Sequence, residues 1–377
     1  METCILECCL NYLNFNLLKG EVTMNKIKKF LLSFLLAGGL AFGVSSGVMG
    51  DGIDLSKVNN NYGLVASISA QTGKVYSGWM YIVCSGHSLA KDTPSAGDFK
   101  RPYATLDYAI GRSAANVTDT GGPNDGDLII CLAGHTETVI AAAGLDVDSA
   151  GVTIVGLGNG SDRATVNFTT VVGAVMDIDA ANVTIMNMLF TGGFDATTGV
   201  IDVNSADFSM INCEYRAVTG QATDVIRVAD AADRLLIDGL VFRGAAADGG
   251  DSAILFEPNL VTGGCEDVII RNSSFYGNWD TGCIENITGG LLRINIHDVS
   301  IWTEGAEDLA INLFGTSTGS IGPNVYVRVQ DHAANMSQSI VGSDTHFFRP
   351  VEMVNLDDET SIGLGDSGVN HHLQSTE

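Results

Sequence analysis

The chain of 377 residues is poor in positive charge, with 19 Lys and Arg against 44 Asp and Glu, a formal net of −25. A surface that negative repels nucleic acid and anionic lipid, which argues against both as partners. No C-x-x-C pair occurs, so the spacing of common zinc sites is missing. The apolar run at 30–44 is shorter than the roughly 20 residues a membrane-spanning helix needs. No complete catalytic set stands out.

What the N-terminal region does contain is an export pattern. A basic stretch at 24–29 (MNKIKK) leads into the apolar run, followed by small residues at 45–50. This is the layout of a secretory signal peptide, cleaved between Gly43 and Gly50, and it predicts an exported protein. Residues 1–23 read as a non-native upstream extension with Met24 as the true start, because codons for Lys19, Gly20 and Glu21 can spell a purine-rich ribosome-binding sequence. Residues 1–50 hold four Lys and three Glu, leaving 15 basic against 41 acidic residues, a net of −26. Three of the eight Cys also fall there. Cys84, Cys131, Cys213, Cys265 and Cys283 remain, an odd number, and are expected mostly as small buried apolar residues.

The rest is a repeat. Segments beginning at Leu145 (LDVDSAGVTIVG), Met176 (MDIDAANVTIMN), Ile201 (IDVNSADFSMIN) and Ile226 (IRVADAADRLLIDG) each give a short alternating strand, a small-residue turn and a second alternating strand. Inward pairs of the second strand read Val152/Ile154, Val183/Ile185, Phe208/Met210, Leu235/Ile237, Val268/Ile270, Ile294/Ile296 and Val327/Val329. Two residues after each comes Gly156, Asn187, Asn212, Gly239, Asn272, Asp298 or Asp331, types that tolerate a left-handed bend. Asn side chains stacked about 4.8 Å apart can bond as a ladder. Three residues further on stands Phe190, Tyr215, Phe242, Phe275 or Ile301 in most coils.

These columns predict an all-β chain, a single-stranded right-handed parallel β-helix (a solenoid) with a short N-terminal capping α-helix at 103–115, where Leu106 and Ile110 share a face. The expected organisation is 51–100 leading into the cap, 101–350 as the helix with its caps, coils from about 127 to 335, and 351–377 as a polar tail. The segment from His346 (HFFRPVEMVNL) is expected to close the stack. Spacings from the bend to the last inward residue of the next first strand (Val203, Val228, Phe256, Ile287, Leu313) are nearly constant. Extra length falls in the turn between the strands, at 257–265 and 315–324.

The runs PYATLDYAI, GDLIICLAGHTETV and VTIVGLGNG, followed by VTI-x-N-x-x-F coils, resemble the pectin-lyase-like right-handed β-helix superfamily over residues 80–350. They are also similar to phage and environmental bacterial β-helix proteins with no assigned activity. The resemblance implies the fold. It also implies that active carboxylates, where an enzyme has them, lie on the first-strand face beside the loops. The short NTD, DD, GHG and RIK motifs of polygalacturonases are not reproduced: DD occurs only at Asp357 and Asp358, SGHS and AGHT replace GHG, and RIK is missing. No family catalytic residue carries over.

Outward first-strand positions form two columns: Asp146, Asp177, Asp202, Arg227, and Asp148, Asp179, Asn204, Ala229. Like charges repel by roughly 1 kcal/mol at 4 Å even in water. The column must therefore be hydrated, protonated, neutralised by Arg227 or bridged by a cation, and oxygen-only ligands suit Ca²⁺. Asp177, Asp202 and Arg227 are the candidate catalytic group; Asp146, Asp148, Asp177, Asp179 and Asp202 are the candidate Ca²⁺ ligands. A solvated polar face is the plainer alternative. A further column, Met186, Ile211, Asp238, Arg271, His297, Gln330, offers Asp238, Arg271 and His297 as an acid/base group or as an ordinary cross-strand ion pair. His87, His135, His371 and His372 show no ligand spacing. Phe275, Tyr276, Trp279 and Trp302 are aromatics that can stack on sugar rings, Phe275 being rather a core residue.

The reading is of an exported or virion-associated β-helix surface protein that binds or displays to polysaccharide or a cell-surface glycan, without catalysis, in a homotrimer if it follows viral β-helices. Alternatives are a Ca²⁺-dependent polysaccharide lyase or glycoside hydrolase acting on acidic glycans, and an adhesin or surface-layer component. N-terminal sequencing of the unprocessed product should begin at Met24. Any peptide from residues 1–23 would sink that start site.

Overall fold

A computed structural model describes residues 53–54, 63–115, 126–141, 144–192, 196–218, 222–244, 250–257, 264–286, 289–306, 309–313, 317–331, 340–341, 346–348, 351–355 and 361–364. The expected signal peptide, the upstream extension, Asp357, Asp358, His371 and His372 lie outside them. Two compact units are distinguished. Helix α1 (Gly63–Thr72) belongs to one, and everything from Ser77 onward to the other.

The larger unit is a parallel β-solenoid of about seven turns, the all-β helix expected. Parallel crossovers of this kind are right-handed by strong preference. Between Leu145 and Asp331 each coil contributes one strand to each of three sheets. First-sheet strands run from Leu145–Val147 to Ile311–Leu313, second-sheet strands from Thr153–Gly156 to Gly319–Ile321, and third-sheet strands from Thr165–Phe168 to Val325–Asp331. The third sheet is the element that the repeat concealed. Its strands are three or four residues long in most coils, too short to show alternation. Only their inward column, Phe190, Tyr215, Phe242, Phe275, Ile301, was visible, and these residues stand in register.

The bore is filled by like on like. Tyr215 stacks on Phe242 with ring centroids 4.8 Å apart, and Phe242 lies 6.0 Å from Phe275. Such pairs add roughly 0.5–1.5 kcal/mol each beyond area burial. Ile154, Ile185, Met210, Ile237, Ile270 and Ile296 form the facing second-sheet column, all buried. Cys84, Cys131, Cys213, Cys265 and Cys283 are free thiols and all buried.

Two corners use left-handed backbone. Asn187, Asn212, Gly239, Asn272, Asp298 and Asn324 have φ between 51° and 76° at the bend after the second strand. The side-chain ladder there is broken rather than continuous. Asn187 Nδ2 donates to the Gly156 carbonyl at 2.7 Å and Asn272 Nδ2 to Asp238 at 2.8 Å. At Gly239 a Cβ would fall 2.6 Å from Asn212 Oδ1, so glycine is required twice over. The second corner, between first and second strands, was not foreseen: Asn182, Asp207, Arg234, Asp267 and Arg293 have φ near 60°. The turn there points each N–H at the next coil, as in Arg234 N to the Glu266 carbonyl at 2.7 Å. For Arg this backbone costs about 1–2 kcal/mol. Arg234 and Arg293 each form a two-pronged ion pair, to Asp207 and Asp267 of the preceding coil.

Late in the chain the register differs from the expectation. Ile294 and Ile296 pair with Gly319 and Ile321, so Val327 is a third-sheet residue opposite Ile301 and Val329 opposite Thr303. Gln330 and Asp331 accordingly leave the columns assigned to them, and Asn324 takes the bend, one residue later than the repeat would put it. The strand Gly319–Ile321 has one apolar residue, which hid it, and the expected insertion at 315–324 contains this strand. Likewise Phe256 pairs with Asn286, not Ile287; the buried amide broke the apolar pattern. Of the loop at 257–265 only its ends are described.

The N-terminal end is capped by a helix, and at the C-terminal end a reversed strand closes the third sheet. Helix α2 (Leu106–Ala115) buries Leu106, Ala109 and Ile110 and packs beside Leu145–Val147, the first strand of its sheet. Glu137 accepts the backbone N–H groups of Leu106 and Asp107, a negative charge at the positive end of the helix. His135 is fully buried; its Nδ1 accepts the Ser85 N–H at 3.0 Å, which leaves the proton on Nε2, 3.4 Å from Glu137. The stack begins at Trp79–Val83, one strand before Leu128–Cys131, with Ile53–Asp54 antiparallel beside it. Strands His346–Phe348 and Val351–Asn355 continue the coils past residue 350, and Ser361–Leu364 runs back antiparallel, so pairing enters the segment read as a polar tail.

Phe242→Ala should destabilise the solenoid by about 3–5 kcal/mol, since its ring touches rings before and after it in the stack. Chemical denaturation followed by circular dichroism measures this, and a change under 1 kcal/mol would contradict the stacked core.

Candidate functional site

Two outer faces carry the chemistry. On the first sheet, Asp146, Asp177, Asp202 and Arg227 stand in strict register on successive coils, as the spacing predicts. The column then continues through Leu255, Glu285 and Asn312, which the repeat did not reveal. Arg227 lies 3.7 Å from Asp202 but makes its close contact with Glu257, at the start of the loop. In the second column Asn204 donates to Asp179 at 2.8 Å. Around Arg227 the fold also gathers Asp224, which accepts the Ser252 hydroxyl at 2.7 Å. Glu285 accepts from Thr281 and, at 3.0 Å, from Asn312.

Burial raises these carboxyls. Asp202 is pushed up to about 6 by desolvation, with Arg227 pulling the other way and Asp177 and Glu257 adding repulsion. Asp177, Asp146, Asp224 and Glu285 are raised too, each first by desolvation and then by neighbouring carboxylates. Asp202 can thus hold or release a proton near neutrality, the property a general acid or base requires. Among the described residues, no group of three or more His, Cys, Asp or Glu side chains converges as metal ligands would.

The further expected group does not assemble as a relay. Asp238, Arg271 and His297 are in register. Arg271 binds Asp238 at 2.8 Å, whereas His297 Nδ1 bonds Asp298 at 2.7 Å and Asp298 is held by Asn324. This is a cross-strand ion pair beside a separate His–Asp contact.

The third sheet's outer face brings two of the expected sugar-stacking aromatics, Tyr276 and Trp302, into line with arginines that the sequence reading missed. In one register line stand Arg216, Arg243, Tyr276, Trp302 and Arg328. Tyr276 and Trp302 are half-buried, edge to face at 5.8 Å, and the Arg328 guanidinium lies 5.6 Å from the Trp302 ring centre. Tyr326, 47% exposed, projects beside Arg328. Glu214, nearly buried, sits among Arg163, Arg216 and Arg243 at 3.3, 2.6 and 3.2 Å, and the first effect on its carboxyl, desolvation, is outweighed so that it titrates below the usual range. Phe275 and Trp279 are buried in the core. Aligning third strands would have exposed this line, but three-residue strands give no period to align.

No protein family, curated protein or solved structure compared with the chain matches it.

The raised Asp202 has a folded value above its unfolded one, near 3.9. Stability is then greatest below the unfolded value, falls as pH rises towards about 6, and is flat above. Asp202→Asn should remove much of that slope and stabilise the fold by roughly 1–3 kcal/mol at pH 7, the attraction to Arg227 being already contained in the value near 6. Melting curves of both proteins from pH 4 to 8 test this; an equal slope in the variant would contradict it.

Proposed function

We propose that the chain is an exported β-helix surface protein that binds polysaccharide without transforming it, and that it is a divergent member of the pectin-lyase-like group its repeat resembles. The observation that carries this reading is the aromatic set on the outer face of the third sheet, two half-buried rings beside one exposed ring. Tyr276 and Trp302 follow each other on adjacent coils, with Tyr326 on the next. Half-exposed rings on a rigid sheet offer flat apolar faces to the apolar faces of pyranose rings, at little entropic cost because the sheet already holds them. The basic leader at 24–29 supports export, as an adhesin, a surface-layer component or a virion-associated protein.

A second reading, a lyase or hydrolase, is favoured by Asp202 alone, whose carboxyl near 6 stands beside Arg227. It predicts new reducing or unsaturated ends from acidic glycans, lost in Asp202→Asn.

Trp302→Ala and Tyr276→Ala should each weaken retention in polysaccharide-containing gels about tenfold, roughly 1.4 kcal/mol. Unchanged mobility in both variants, with the wild type retained, would locate binding elsewhere. A wild type retarded by no polysaccharide of a broad panel would end the reading.

A further inference from the structure

The distribution of positive charge says more about the ligand than the rings do. In a chain with 19 basic residues, the arginines on the first and second sheets and the corner between them are committed to acids of their own: Arg227 to Glu257, Arg234 to Asp207, Arg271 to Asp238, Arg293 to Asp267. The third-sheet line departs from this. Arg163, Arg216 and Arg243 share the single carboxylate of Glu214, and Arg328 has no acidic partner among the described residues, only the Trp302 ring. Glu304 on this face bonds the Tyr276 hydroxyl, and Glu352 stands in register with Tyr326 on the next strand. Arg216 and Arg243 approach Glu214 through Nε, and their side chains are 41% and 65% exposed, which leaves the outer edges of both guanidinium forks turned to solvent. A guanidinium edge of that kind is suited to two-point recognition of a carboxylate or sulfate.

We propose that this line is a binding track for an anionic polysaccharide, with Arg216 and Arg243 taking carboxylate or sulfate groups at one end, Tyr276 and Trp302 stacking on sugar rings in the middle, and Arg328 taking a further anionic group. The proposal rests on the polysaccharide-binding reading and names its ligand class. Five residues on successive coils about 4.8 Å apart span about 19 Å along the axis, room for several sugar units and too long for a monosaccharide. The direction of the polymer follows: it lies along the rod axis, across the strands. A single-stranded nucleic acid would also meet arginines and rings. The chain's overall −25 disfavours it, because a nucleic acid carries a charge at every residue, whereas a glycan can place its anionic groups where the arginines are.

The same charge gives the proposal an unusual signature. At 0.15 M salt the screening length is about 8 Å, so a bound polymer feels mainly the arginine line. At 0.01 M it is about 30 Å, and the acidic body of the protein repels the polymer. Affinity should therefore rise from 0.01 M to about 0.1 M salt and fall again above it.

The test uses the exported form of the full chain with dextran, carboxymethyl dextran and dextran sulfate, three polymers of one backbone, and a single-stranded DNA of similar length. Titration calorimetry should show the two anionic dextrans bound more tightly than dextran by at least tenfold, with the salt optimum just described. Which of the two is tighter separates carboxylate from sulfate preference. Arg243→Gln and Arg328→Gln should each lower that affinity several-fold, and by a clearly larger factor than they lower binding to neutral dextran. Arg234→Gln, which removes an equal charge at a corner, should change neither, and melting curves of all three variants check the fold. Equal binding of neutral and anionic dextran, an equal loss in Arg234→Gln, or tighter binding of the DNA would overturn the track and leave general polysaccharide binding standing. Failure with every polysaccharide would overturn both.

Discussion

Everything in this molecule depends on the pairing of backbone N–H and C=O groups between one coil and the next. A single coil of three short strands satisfies none of its own ladder bonds and exposes half its apolar side chains. Its neighbours above and below supply both. Because the pairing is parallel and in register, a residue in one coil stands over its counterpart in the next, and the side-chain columns follow from the hydrogen bonds. Both candidate faces are products of that rule. The carboxylates from Asp146 to Asp202 and the line from Arg216 to Arg328 exist because the backbone stacks them.

Stacking amplifies whatever the sequence places at a column. Inside, repetition of apolar residues is self-consistent: Phe242 is favoured by having Tyr215 and Phe275 as neighbours. Outside, repetition of one charge costs energy, and the molecule shows two responses. On the first sheet the carboxyls rise toward neutrality and Arg227 interrupts the column. On the second sheet opposite charges alternate, as in Asp238 and Arg271. The third sheet keeps Arg216 over Arg243 with Glu214 beside them, a half-compensated arrangement that leaves positive potential facing outward.

The fold was legible in the sequence wherever a column was apolar or left-handed. Ile154, Ile185 and Ile237 repeat against Asn187, Asn212 and Gly239, and this double column sufficed to set the register of the second sheet over six coils. Legibility failed where one member was chemically unlike its column. Asn286 is buried between Phe256 and Leu313 and shifted the count by one; Gly319 stands opposite Ile294 and cost the last coil a strand. The Asp column on the first sheet was read correctly because its strands alternate cleanly. Neither Glu257 and Glu285 near Arg227 nor the arginine–aromatic line could be read, since both depend on pairings across loops of unequal length or on strands too short to show a period.

The antiparallel strands at the two ends of the stack, Ile53–Asp54 on Trp79–Val83 and Ser361–Leu364 on Val351–Asn355, bear on how such a rod changes length over generations. A reversed strand ends the run of parallel pairing on its sheet, and helix α2 covers another edge of the first coil. On those edges new coils are not accommodated. They fit between Leu145 and Asp331, where a duplicated segment finds matching columns on both sides. Any ligand track along the axis would then lengthen by whole coils, one contact row at a time, while the reversed strands at the ends stay untouched.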